Sequence, residues 1–131
     1  MKKTLFLLLF FVPFFAVAQN KNEAIVAAFR VNGQPNYGGN LMLPEVLSIN
    51  EIFLMKKSLD ANLIYFEVTI VPKKGKDPVM YPNYGPTFND NVKKLLANAA
   101  AEDTIYIDNI TVKTEKEADV RIVNSLMIKV L

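Results

Sequence analysis

The chain has 131 residues, with 15 lysines and arginines against 13 aspartates and glutamates, and it contains neither histidine nor cysteine. Without those two residue types the commonest general base, the thiol nucleophile and the usual zinc ligands are missing, and no disulfide can staple the fold. So balanced a charge leaves no electrostatic footprint for nucleic acid, and no nucleic-acid partner is expected.

Chain order begins with an export signal over residues 1–18. Lys2 and Lys3 form a basic n-region, Leu5 through Phe15 an apolar h-region broken by Pro13, and Ala16-Val17-Ala18 a small-x-small cleavage site ahead of Gln19. Cleavage after Ala18 removes two of the 15 basic residues and leaves 13 against 13 acidic ones, a mature chain with no formal net charge. Residues 19–131 suit one domain. No later stretch approaches the ~18 apolar residues of a membrane span. The expected product is a periplasmic or secreted single domain, without a transmembrane anchor once the signal is cut.

Ala24 to Val31 alternates loosely and predicts a first strand, ended by Asn32-Gly33 turn chemistry. Gln34 to Asn40 reads as a loop, in which Pro35 presets one torsion while Gly38 and Gly39 permit positive φ. Pro44 interrupts the apolar run from Leu41 to Ile49, so a short edge-like strand is expected around Glu45–Ser48. Glu51–Lys57 and Leu63–Val71 are the clearest strands, joined through Ser58–Asn62. Ile64, Phe66, Val68 and Ile70 mark the core face of the second.

Pro72–Pro78 is a solvated loop whose Lys73, Lys74 and Lys76 discourage pairing across an exposed end. Val79–Gly85 leads into the one predicted helix, about residues 88–100. There Thr87-Phe88-Asn89-Asp90 fits a capping box, and Phe88, Val92, Leu95, Leu96 and Ala99 form one apolar stripe. Glu102-Asp103 lies at the end of the helix dipole that disfavours acids, which sets the stop near Ala100–Ala101. In Thr104–Lys113, Ile105 and Ile107 share one phase while Ile110 and Val112 share the other, so a bulge is expected at Asp108-Asn109. A charged hairpin connection, Thr114–Asp119, precedes a last strand from Val120 to Leu131. Six or seven short strands without βα alternation predict an all-β fold, an immunoglobulin-like antiparallel β-sandwich with one short helix.

These features also have a recognisable order. Phe29-Arg30-Val31 opens, and a Gly38-Gly39 loop runs into Leu43-Pro44-Glu45-Val46-Leu47. The long strand then carries Phe66-Glu67-Val68-Thr69-Ile70. After the lysine loop, Thr87-Phe88 opens the helix and Glu102-Asp103 closes it. Ile105-Tyr106-Ile107-Asp108-Asn109-Ile110-Thr111-Val112 contains an Asn-Ile-x-Val step, and Arg121 precedes the final strand. In this order, from Ala24 to Leu131, they resemble the C-terminal domain of the gliding-motility family GldM, also called PorM, of the type IX secretion machinery. The family typically has Gly-Asp where this chain has Glu102-Asp103, and a Val-x-Ser-Phe-like segment where this chain has Phe66–Ile70. The resemblance implies a periplasmic binding or scaffold module contacting envelope proteins, with no cofactor and no catalytic residue. Family members are large and anchored in the inner membrane, whereas this chain has a cleavable-looking signal and room for one module. A place in the secretion motor is therefore not implied.

The expected function is non-enzymatic, an exported module that binds an envelope protein through loop tips or by strand addition at a free sheet edge. A repeated tetrapeptide, Pro35-Asn36-Tyr37-Gly38 and Pro82-Asn83-Tyr84-Gly85, with Tyr81 beside the second copy, reads as two turns. If the fold brings both to one end, Tyr37, Tyr81 and Tyr84 become candidate contacts for a peptide or glycan, the alternative function being a small-ligand or glycan-binding module. Otherwise each tyrosine packs over its own turn. Ser48, Ser58 and Ser125 lack a nucleophile-elbow context. An enzyme would need a deep pocket with facing carboxylates, such as Glu67 with Asp108.

Overall fold

The chain first reverses at Asn32-Gly33, where both residues take positive φ (52° and 79°) and join strand β1 (Val26–Val31) to β2 (Gln34–Asn36). Two consecutive positive-φ residues match the twist of an antiparallel pair, and Asn-Gly reaches that conformation at little cost. The computed structural model describes residues 25–55, 61–114 and 120–131, Arg121 through its backbone only. The expected export signal, Lys56-Lys57, Ser58–Asp60 and most of the charged hairpin connection lie outside the described residues.

The segment expected as a loop after Gly33 is β2 followed by β3 (Gly38–Leu41), and the chain changes sheets between them. The expected strand at Glu45–Ser48 is instead one turn of helix, α1 (Leu43–Leu47). Pro44 sits in its first turn, where a missing N–H costs nothing, and the Glu45 carboxylate accepts from the Met42 N–H at 2.9 Å. Proline there begins a helix rather than breaking a strand. Val46 is its buried residue.

β4 (Phe53–Met55) pairs with β1, giving a small sheet in the order β2-β1-β4. The larger sheet runs β3-β9-β7-β5-β6, where β5 is Ala61–Val71, β6 Val79–Tyr84, β7 Thr104–Thr114 and β9 Leu126–Val130. The expected last strand is divided into β8 (Val120–Ile122) and β9, which pair with successive halves of β7. One pair departs from the antiparallel expectation, since β3 runs parallel to β9 from Gly38↔Met127 to Leu41↔Val130.

The bulge foreseen at Asp108-Asn109 is present, with Asn109 at φ 52°. A second bulge compensates for it on the partner strand. Leu63 faces Val112 and Tyr65 faces Thr111, which makes Ile64 the extra residue; then Glu67 faces Asp108 and the original register returns. Ile64 was expected in the core, yet it is 37% exposed because the bulge reverses its phase, while Leu63 is buried in its place. Ile105, Ile107, Ile110 and Val112 are all buried. The two bulges let both halves of each long strand present apolar residues to one core.

The predicted helix is α2 (Asp90–Ala97), shorter than 88–100 and capped by Asn89 rather than Thr87. The Asn89 side chain accepts from Val92 N at 2.8 Å. Its whole apolar stripe, Phe88, Val92, Leu95, Leu96 and Ala99, is buried. Phe88 meets Phe66 at a tilt of 58°, 5.7 Å between ring centroids, joining the helix to the sheet. The two sheets, with both helices contributing to their shared core, form an all-β immunoglobulin-like sandwich.

A side chain stitches the sheets together where β2 stops short. Asn124, between β8 and β9, accepts from Ala27 N (2.7 Å) and donates to Ala27 O (3.1 Å), as a neighbouring strand would. Asn124→Ala leaves two backbone groups of a fully buried residue unpaired. A loss of about 2 kcal/mol is expected, read as a lower urea midpoint at unchanged slope.

Candidate interaction surface

Each Pro-Asn-Tyr-Gly copy is strand running into a positive-φ glycine, not a free turn. In the first, Asn36 Oδ1 accepts from Gly38 N at 2.8 Å, and Tyr37 spans the passage from β2 to β3. In the second, Asn83 is wholly buried. Its Nδ2 donates to Gly85 O (3.0 Å) and Thr87 O (2.9 Å), and its Oδ1 accepts from Asn89 N (2.7 Å). That amide shapes the passage from β6 into α2, a role the motif alone does not reveal.

The three candidate tyrosines do not share one platform. β3 and β6 are opposite edges of the large sheet, so Tyr37 lies about four strand spacings, ~19 Å, from the β6 tyrosines. On β6, Tyr81 is opposite buried Val68 and so at the rim of the core side, whereas Tyr84 is opposite Tyr65 on the outer face. Tyr84 is 77% exposed, and its ring lies 5.1 Å from that of Tyr65. The sequence reading omitted Tyr65, although its place on the outward phase of a long strand was a usable signal.

Register aligns the outer face into rows. Tyr84, Tyr65, Thr111 and Ile122 form one; Pro82, Glu67 and Asp108 the next; Met80, Thr69, Tyr106, Met127 and Gly38 a third. Met80, Met127 and Ile122 are about half exposed or more. The helices' buried residues pack in the core on the other side of this sheet. The free edge of β6, by contrast, is blunted. Gly85 N donates to Ile64 O, so strand alternation directs the backbone of Pro82 away from β5. Proline has no N–H to offer there, and Asn89 Nδ2 occupies its carbonyl at 3.0 Å.

Glu67 and Asp108 do face each other, but on open sheet rather than in a pocket. Glu67 accepts from Tyr65 Oη and Asn109 Nδ2, both at 2.7 Å, which ties the β7 bulge to β5. The hydrogen bond to Glu67 pushes the Tyr65 pKa up to about 12, with desolvation and the carboxylate charge acting the same way. Its ordinary value is 10.0. The unfolded chain therefore loses this proton first as pH rises, and the stability from the neutral phenol is complete below pH 10 and disappears towards 12. In an ultraviolet pH titration, Glu67→Ala should return one tyrosine from about 12 towards 10.

A groove of about 590 Å³ lies between the 72–78 loop and the end of α2. Three of its charged residues serve the fold. Lys73 Nζ pairs with Glu102 at 2.7 Å and holds that carboxyl below its usual range, while Asp103 accepts from Ala100 N and Lys73 N. The lysine loop is thus anchored by one of its cations. Among the described residues no three His, Cys, Asp or Glu side chains are placed to share a metal ion, and no helix is long and apolar enough to cross a membrane.

No curated protein matches the chain. The family model of the GldM C-terminal domain does, over residues 26–131, which takes in every strand and helix among the described residues and all three rows of the outer face. The chain belongs to the GldM C-terminal domain family.

Proposed function

We propose that this protein is a noncatalytic protein-interaction or scaffold module of the bacterial envelope, exported by residues 1–18 and working on the far side of the inner membrane. The observation that carries the reading is the uncovered outer face of the large sheet. It presents Tyr84, Ile122, Met127 and Met80 to solvent in aligned rows. Large apolar side chains gathered on one exposed face and bordered by polar ones mark interaction sites. Family membership supports an envelope setting. The blunted β6 edge shifts weight from strand addition there to docking on the face.

The test is affinity purification of the full chain, tagged at its C-terminus, from the envelope fraction of expressing cells. The expected result is a stoichiometric envelope protein in the eluate, with the purified chain beginning at Gln19. A bait that elutes alone under mild salt overturns the interaction reading, and an N-terminus at Met1 overturns the export reading.

A further inference from the structure

We propose that the outer face of the large sheet docks a partner protein through a basic side chain, arginine in preference to lysine, seated over Glu67 and Asp108 and flanked by apolar rows. This rests on the interaction-module reading above and names its surface and the chemistry of its partner.

Two unneutralised carboxylates on an exposed face call for a complementary cation. Glu67 and Asp108 are direct register partners across β5 and β7. Like charges in that relation destabilise a sheet, so the free protein bears a cost that a cation would remove. Glu67 spends its oxygens on Tyr65 and Asn109, neither of which is charged, and Asp108 has no partner among the described residues. Lys113 and Lys129 lie on the same face but two rows away on either side, about 13 Å along the strands, beyond the ~8 Å screening length of physiological salt. Lys129 moreover lies in the field of Glu102.

The flanking rows select the kind of cation. Tyr84 and Tyr65 lie on one side of the acidic row, and Tyr106, Met127 and Met80 on the other. A planar guanidinium can bridge two carboxylates while its faces and methylene stem rest on aromatic and thioether surface, which a compact, strongly hydrated ammonium does less well. A second copy of this chain is a poor occupant. Face-to-face pairing centred on the acidic row would bring four carboxylates together.

The test is photo-crosslinking in cells that express the full chain, with the crosslinker replacing Met127 on the face or Lys94 on the exposed side of α2. The expected adduct forms from Met127, and its partner peptide contains arginine or lysine. Asp108→Lys should cut the yield about tenfold and Asp108→Asn about threefold, as for loss of a charge-assisted contact. The purified Asp108→Asn protein should melt no lower than the parent, because the Asp108 side chain has no partner to lose among the described residues. An undiminished yield from Asp108→Lys, an adduct peptide without a basic residue, or an adduct with a second copy of the chain each overturns the proposal. An adduct from Lys94 alone overturns this surface and leaves the interaction-module reading standing. No adduct from either position overturns both.

Discussion

Asn83→Ala should cost about 3 kcal/mol of stability and lower the melting temperature by roughly 12–18 °C. The side chain is 0% exposed, and both of its N–H donors and its oxygen are engaged by backbone groups of Gly85, Thr87 and Asn89. Removing the amide takes the partner from three part-buried backbone groups, at about 1 kcal/mol each. It also releases Asn89, whose own side chain caps α2 and covers Pro82 O. The repeated tetrapeptide supplies an internal control. Asn36 makes a single bond at a partly exposed site, so Asn36→Ala should cost under about 1 kcal/mol. Thermal unfolding of the two variants side by side measures the difference, and equal losses would sink the assignment of Asn83 as the organiser of the β6–α2 passage.

Gly38→Val is expected to cost about 3 kcal/mol or more and to free β3 from β9. At φ +113° the backbone already occupies a region that side chains rarely adopt, and a Cβ would overlap the Met127 carbonyl oxygen. Neither backbone can yield, because Gly38 opens the parallel ladder that ends at buried Leu41. Gly39 separates the two causes. It has φ +103° but open space where a Cβ would stand, so Gly39→Ala should cost only the conformational strain, about 1–2 kcal/mol. Hydrogen exchange of the Leu41 and Leu131 amides, which face across the β3–β9 ladder, reports whether β3 has detached. Slow exchange of both in Gly38→Val would refute the account.

Much of the fold was legible because it is local. The period-2 phase of β5 and β7, the stripe of α2, the Asn32-Gly33 reversal and the bulge at Asp108-Asn109 each follow from residues within a few positions of one another. The misread elements were those in which one residue type serves two local structures. Pro44 suits both an edge strand and the first turn of a helix, and the Glu45 carboxylate that decides for the helix acts on Met42 N three residues back. Ile64 follows the apolar phase of its strand and leaves the core only because β7 demands a compensating bulge opposite.

By itself the sequence determined which residue types the chain lacks, which stretches are apolar on which phase, and the order of features that marks its family. The tertiary structure alone decided which strands are neighbours: Gly38 against Met127 in parallel, Glu67 against Asp108, Tyr84 over Tyr65, and Tyr37 a sheet's width away from both β6 tyrosines. Such pairings join positions as distant as Asn124 and Ala27, 97 residues apart. Side-chain periodicity says which face a residue takes but nothing about which strand lies beside it. That choice belongs to the packing of the whole core, and with it the choice of the surface left open to a partner.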